Sequence, residues 1–227
     1  GSLPLLVGGS PHYIQAVVDH LQIPHIPPQP ELRARLAARP LSELLSQLEE
    51  LDPQSASSID HSNARRVIRA LEVCLLSGKP FSQQRGRADP LYRPLLLGIA
   101  WPRELLYARI DARVEERMRQ GMVEEVRDLL AQGISHERLD SLGLEYRYIS
   151  RLLRGEFASE AEMAQRLKYA IHDFTRRQLS WFRRDERIVW LNGMDVEKAE
   201  EYVSMHCRAG AWPGLPRSEL PGGGATL

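Results

Sequence analysis

Along most of the chain apolar residues recur every three or four positions, and in three places they run together instead. The first run, residues 3–7, ends at Gly8 and Gly9 and reads as a buried parallel-type strand entering a tight turn, with a helix over about 10–21 to follow. The second, 95–101, and the third, 187–191, read as further strands of the same layer. Between the first two, residues 23–30 hold four prolines and cannot be helical, so they predict an extended linker. Helical spacing then predicts helices over 31–38, 41–50, 53–59 and 63–77, the last closed by Gly78 and Pro80, with a polar, turn-rich stretch over 82–93. Pro102 opens a long amphipathic helix to about 119, and further helices are predicted over 123–132, 141–154 and 160–181.

Strand, helical excursion, strand, helices, strand is the order of an α/β layer interrupted by a small helical unit, with most of the chain helical. It divides the chain into a layer formed by 1–22 and 94–207, a helical insert over 23–93, and a Pro- and Gly-rich tail over 208–227 too poor in apolar residues to pack, expected to be disordered. A doubly covered strand at the first residues needs neighbours, so the amino terminus reads as cut.

Composition narrows the classes. Hydrophobic residues make up 43% and charged residues 26%, which suits a folded domain. Thirty basic residues balance thirty acidic ones, so an anionic partner must be drawn by local arrangement of charge and not by a global field. No apolar run approaches the roughly 18 residues of a membrane span, and no signal peptide opens the chain, so a cytoplasmic protein without membrane contact is expected. Cys74 and Cys207 lack partners at metal-ligand spacing and read as packing thiols. His12, His20 and His25 are not spaced as a metal triad, and no metal site is expected in this chain.

Four arrangements could carry chemistry. Arg109, Arg113 and Arg117 stand four apart on one helix face, about 100° from the apolar stripe Leu106, Ile110, Val114 and Met118, at the rim of a buried surface. A solvated face paired with Glu115 and Glu116 is the plainer reading of that spacing. Arg65 and Arg69 share a face of the helix over 63–77, from which they could straddle a phosphate backbone or simply solvate it. The segment 175–185 interleaves Arg176, Arg177, Arg183 and Arg184 with Trp181 and Phe182, a pattern suited to looped RNA but equally to core aromatics on a basic helix. The turn G-G-S-P-H-Y at 8–13 exposes backbone N–H groups and the Ser10 hydroxyl, or is a tight turn capped by Ser10; it lacks the ending of a nucleotide-binding loop.

Taken in order, six segments resemble the tRNA dimethylallyltransferases (IPP transferases), over about residues 3–192. They are G-G-S-P-H-Y at 8–13, L-D-P-Q-S-A at 51–56, R-V-I-R-A-L-E-V with S-G-K-P-F-S at 66–82, R-I-D-A-R-V at 109–114, G-L-E-Y-R at 143–147 and R-R-Q-L-S-W-F-R-R at 176–184. The resemblance implies a P-loop-kinase-like parallel sheet, incomplete here, with an inserted helical domain that grips the anticodon stem-loop of tRNA. It implies transfer of the dimethylallyl group of dimethylallyl diphosphate to the exocyclic amine of adenosine 37, with Mg2+ as cofactor held by ligands outside this chain, and a monomer.

By the same resemblance Arg113 is the catalytic, diphosphate-binding arginine, with Arg109 as its helical neighbour. Ser10, Arg33, Arg65, Arg66, Val67, Ile68 and Arg69 are expected to contact tRNA, as are Leu142, Gly143, Leu144, Glu145, Tyr146 and Arg147. Pro11 and His12 depart from the family turn, which usually carries small and apolar residues there. The family's phosphate-binding loop and its acidic general base would precede residue 1, so the chain reads as a fragment of a prenyltransferase, expected to be inactive in isolation. A catalytically inactive tRNA-binding remnant is the alternative, and a helical interaction protein the plainest one.

Overall fold

The computed structural model describes residues 3–209, and the chain divides into two compact units, Gly1–Pro94 and Leu95 onward. The division falls where the helical insert was expected to end, but residues 1–22 group with the helices of the first unit.

The first unit holds α1 (Pro11–Val18), α2 (Pro30–Ala37), α3 (Leu41–Leu51), α4 (Pro53–Ser58), α5 (Ala64–Ser77) and a 3-10 turn at Phe81–Gln84. Its core is the apolar stripe of α5 against α2 and α3: Val67, Leu71, Leu36, Leu44 and Leu48 are buried. Asp52 shows why L-D-P and S-G-K-P-x-S occur together. It caps α4 through Ser55 N at 3.1 Å and also accepts from Ser82 N and Ser82 Oγ, each at 2.7 Å. Gly78 ends α5 at φ +68, a left-handed conformation that glycine adopts without steric cost.

Two corrections to the predicted strands arise here. Residues 3–7 form no strand; Leu5 and Val7 are exposed, because no neighbouring strand among the described residues pairs with them. A two-residue strand β1 (Leu21–Gln22) pairs antiparallel with β2 (Gly86–Arg87) instead. The pairing joins the segment that enters the helices to the one that leaves them, reinforced by an Arg87–Asp19 ion pair at 3.1 Å and by Ala88 N donating to His20 O.

The second unit contains the parallel pair β3 (Leu96–Ala100) and β4 (Ile188–Asn192), in register from Leu96↔Ile188 to Ala100↔Asn192. Gly98 lies opposite Trp190, and a Cβ there would meet the indole at 2.7 Å, so the close approach requires glycine. Between the strands run α6 (Arg103–Arg119), α7 (Met122–Ala131), α8 (His136–Leu142), α9 (Leu144–Leu153) and α10 (Glu160–Phe182), and after them α11 (Val196–Ala209). Val114, Val126, Leu139, Ile149, Met163 and Leu167 form their common core.

The single helix predicted over 141–154 is in fact two, α8 and α9, broken at Gly143. Its φ of +145° is incompatible with helix continuation. Helix α11 was not read from the sequence, and it runs through Ala209, into the stretch expected to be tail. The rest of that tail, 210–227, lies outside the described residues.

Two outcomes are expected. Glu72 has a fully buried side chain. Burial is the strongest single influence on it and pushes its carboxyl up, but hydrogen bonds from Arg33, the Gln29 backbone and Arg69 outweigh burial and hold it at about 2, below its ordinary 4.5. A depressed folded-state value stabilises above the unfolded value and is lost as pH falls through the folded one. Urea unfolding should therefore show this contribution intact above pH 4.5 and vanishing toward pH 2. Glu72→Gln should cost roughly 3 kcal/mol at neutral pH and remove that dependence. Gly143→Ala should destabilise by about 1–3 kcal/mol in the same measurement through backbone strain alone, because its Cβ would meet nothing within 4 Å.

Candidate functional site

Val114 of α6 is buried in the core of the second unit, with Ile110 and Met118 partly buried beside it, and this fixes the rotation of the helix. The arginine row therefore stands at the rim, as its spacing predicted. Each member then meets a different segment. The Arg109 guanidinium lies 4.6 Å from the ring centre of Trp101, just beyond β3. Arg113 faces Glu145 in the first turn of α9 at 3.7 Å. Arg117 reaches Glu125 of α7 at 4.0 Å.

Of the two that face a carboxylate, Arg113 is the more exposed, 70% against 33% for Arg117. Its one carboxylate partner is beyond hydrogen-bond length, so much of its charge remains available to a ligand. It opens onto a cleft of about 510 Å³ within the second unit. Ile110 and Val114 form the α6 wall beside it. The α9 side is made by Gly143, Leu144, Glu145 and Arg147, and the third wall by Ile171, Phe174 and Arg177 of α10. Three sequence segments that resembled one family, separated by some thirty residues each, thus meet around one hollow.

The glycine break places the α9 side. Gly143 precedes α9 without a side-chain cap, leaving the first-turn N–H groups of the helix without intrahelical acceptors. Arg147 donates from Nε and Nη2 to the Asp140 carbonyl at 3.0 and 2.9 Å, which ties the start of α9 back to α8. Tyr146 turns away and donates to Glu125 at 2.6 Å, and that carboxylate raises its phenol above the usual value. Leu142 is exposed at the end of α8. A hollow of similar size along α11, beside Glu201, Ser204, Met205 and Arg208, holds none of the predicted residues.

In the first unit the expected RNA-contacting residues separate into two groups. Arg33 donates to both Glu72 carboxylate oxygens at 2.9 and 2.8 Å. Arg69 donates to Glu72 at 2.6 Å and to Ile26 O at 3.0 Å. These guanidiniums compensate a buried anion, a role that spacing could not show because Glu72 lies on the same motif. Val67 is fully buried and offers no side-chain surface, whereas Ile68 is partly buried against the same core. Arg65 and Arg66 remain exposed on α5. Ser10 sits at the start of α1, but its hydroxyl makes no capping bond; it is exposed and free to bond elsewhere.

Among the described residues no three His, Cys, Asp or Glu side chains are grouped to hold a metal ion. No step is therefore assigned to a metal. Nor is any helix among them long and apolar enough to cross a membrane. Phe174 and Ile171 were not singled out in the sequence, since an aromatic and an isoleucine at helical spacing read as core.

The model of the IPP transferase family matches residues 1–185. The chain is 42% identical over 194 residues to the tRNA dimethylallyltransferase of Thermomicrobium roseum, covering 84% of this chain and 59% of that protein. It is 45% identical over 193 residues to the tRNA dimethylallyltransferase of Chloroflexus aggregans, covering 81% and 63%. It thus spans about three-fifths of the length of these relatives. Among solved structures, the full-length tRNA isopentenylpyrophosphate transferase of Bacillus halodurans aligns with a TM-score of 0.51 at 26% identity, over 87% of this chain and 62% of that one. A eukaryotic dimethylallyltransferase acting on tRNA shares the fold at a TM-score of 0.69 and 18% identity, over 92% and 58%. The mostly helical α/β fold read from the sequence is borne out by these likenesses, and the chain belongs to the IPP transferase family.

Proposed function

We propose that this chain carries the leaving-group site and the RNA-holding helices of a tRNA dimethylallyltransferase, acting as a monomer in the cytoplasm. In this reading residues 1–22 and 94–207 belong to the catalytic core, and 23–93 form the insert that holds the tRNA anticodon stem-loop. The exocyclic amine of adenosine 37 attacks the allylic carbon of dimethylallyl diphosphate; the C–N bond forms as the C–O bond breaks, diphosphate leaves, and the amine proton passes to the acidic general base that the family resemblance implies. Negative charge gathers on the departing oxygens, so a cation held beside them and only weakly neutralised beforehand favours the transition state over the ground state.

Arg113 fits that role: it faces a cleft, it is largely exposed, and its nearest carboxylate stands at 3.7 Å. This is the observation that carries the reading. Glu145 restrains the guanidinium without saturating it, and the first-turn amides of α9 add donors on the same side. Arg109, held over Trp101, supplies a second cation along the row. For the RNA, Arg65 and Arg66 on α5, Ser10 and the start of α9 are the contacts proposed. Arg33 and Arg69 act indirectly, by keeping α2 and α5 together around Glu72. Magnesium, which the resemblance implies, is assigned no ligand among the described residues.

Calorimetric titration with dimethylallyl diphosphate tests the reading. Arg113→Ala should weaken binding about 10- to 100-fold, the loss of one charge-assisted contact, and Arg113→Lys should recover only part of it. Transfer of labelled dimethylallyl to tRNA should fall when the same substitutions are placed at the matching arginine of a full-length relative. Equal affinity in wild type and Arg113→Ala would remove the assignment.

A further inference from the structure

We infer that Asp111 and His172 are positioning residues for the Arg113 cleft: their pair clamps α10 to α6 beside it, and a proton on the imidazole tightens the clamp. The inference rests on the diphosphate reading of that cleft and adds to it two residues that touch no ligand.

The two helices meet along a ladder. Tyr107, Asp111 and Glu115 stand four apart on one side of α6, and Lys168 and His172 stand four apart on one side of α10. Lys168 donates to Glu115 at 2.6 Å. One turn along, His172 Nε2 stands 2.8 Å from Asp111 Oδ1. Residue numbers rise on α6 as they fall on α10, so the helices run antiparallel and the two rungs are successive. The His172 ring also lies flat on Tyr107, with ring centres 4.0 Å apart and planes 4° from parallel. Ile110 and Ile171, the sequence neighbours of Asp111 and His172, line the cleft. The clamp therefore grips its two walls next to the hollow.

The rungs differ in chemistry. The hydrogen bond from Lys168 holds the Glu115 carboxyl below its ordinary value, so that rung stays charged through the neutral range. The other changes with its proton. The facing atoms of Asp111 and His172 are shielded from water and have no hydrogen-bond partner elsewhere among the described residues. A carboxylate oxygen at that distance requires a proton on Nε2. The neutral Nε2–H tautomer supplies it as a plain donor. An imidazolium supplies it with a full charge opposite the carboxylate and against the Tyr107 face, and both contacts favour the cation.

Few other charges approach the imidazole. From α6, Arg103 lies 5.3 Å from the Tyr107 ring centre and opposes the cation, but it is exposed and one ring farther away than Asp111. On α10, Lys168 is engaged by Glu115 and Asp173 by Arg176, and the Tyr169 ring meets the imidazole edge-on at 6.4 Å. α9, which shares the core with α10, brings no charged group within ion-pair distance of it among the described residues. Asp111 therefore sets the sign. A ligand that enters between walls already fixed loses less freedom in binding, so affinity should be greater while His172 carries its proton.

Calorimetric titration of the chain with dimethylallyl diphosphate at about pH 5.5 and about pH 8 tests this, because imidazoles exchange their proton in that interval. The ligand's own ionisation is common to every variant and cancels in ratios to wild type. His172→Gln keeps a neutral donor and Asp111→Asn a neutral acceptor. Each should bind about 2- to 10-fold more weakly than wild type at the lower pH and less than about twofold more weakly at the higher, and the double variant should lose no more than either. His172→Lys copies the neighbouring rung and should hold the low-pH affinity at both values. Ratios that are equal at the two pH values, or losses that add in the double variant, make the pair ordinary packing and overturn the proposal. Urea unfolding of the same variants separates it from the reading on which it rests. Coupling between the two residues there, with no binding by wild type, removes the diphosphate reading and this positioning role together. Binding by wild type without such coupling removes the clamp and leaves Arg113 its assignment.

Discussion

A helix that buries Val114 has little choice about Arg113. The two are adjacent on α6, so their side chains diverge by about 100°, and once the core of the second unit closes over Val114 the guanidinium must stand at its edge. Everything proposed about the cleft depends on that constraint. The edge would be ordinary solvated surface if α9 began elsewhere. Gly143, in a conformation that favours glycine, starts α9 so that Glu145 and the first-turn amides stand across from Arg113. α10 supplies the remaining wall. A rigid core therefore presents a cation that is restrained but not neutralised, which is what stabilising a developing anion requires.

The first unit uses the same residue type differently. Arg33 and Arg69 converge on Glu72, whose side chain has no exposure to water, and the Gln29 backbone completes the set of donors. A buried carboxylate without partners would be strongly unfavourable; with three donors it ties α2 to α5 and holds the linker before α2 in place. Asp52 plays a comparable part between α4 and Ser82. The motifs of this unit are thus largely architectural, and Arg65 and Arg66 are the exposed arginines of α5.

Much of this was legible in the sequence, and the failures have physical causes. Helix periodicity located α2 through α7 and α10 to within a few residues, and the apolar stripe of α6 correctly set its arginines at a rim. Periodicity is blind to partners, however. It could not show that Glu72 would claim Arg33 and Arg69, nor that Glu145 would meet Arg113. It read 141–154 as one helix because a glycine inside a helical pattern is often tolerated, whereas here its positive φ breaks the chain. The apolar run at 3–7 satisfied the strand pattern, but a strand exists only by pairing, and the pairing found was the two-residue ladder of β1 and β2, too short to leave a pattern. Phe174 was passed over because exposure, not residue type, distinguishes a ring that lines a cleft from core. The assignment of Arg113 came from family resemblance, and the structure adds the surroundings in which that assignment makes chemical sense.

The central claim is that an anionic ligand binds where α6, the start of α9 and α10 meet. Hydrogen exchange with and without dimethylallyl diphosphate addresses it directly, because the first-turn amides of α9 have no intrahelical acceptors and should exchange readily until a ligand accepts from them. The account expects slowed exchange over 143–147 on adding the ligand. Protection confined to Gly1–Pro94, with 143–147 unchanged at saturating ligand, would contradict it.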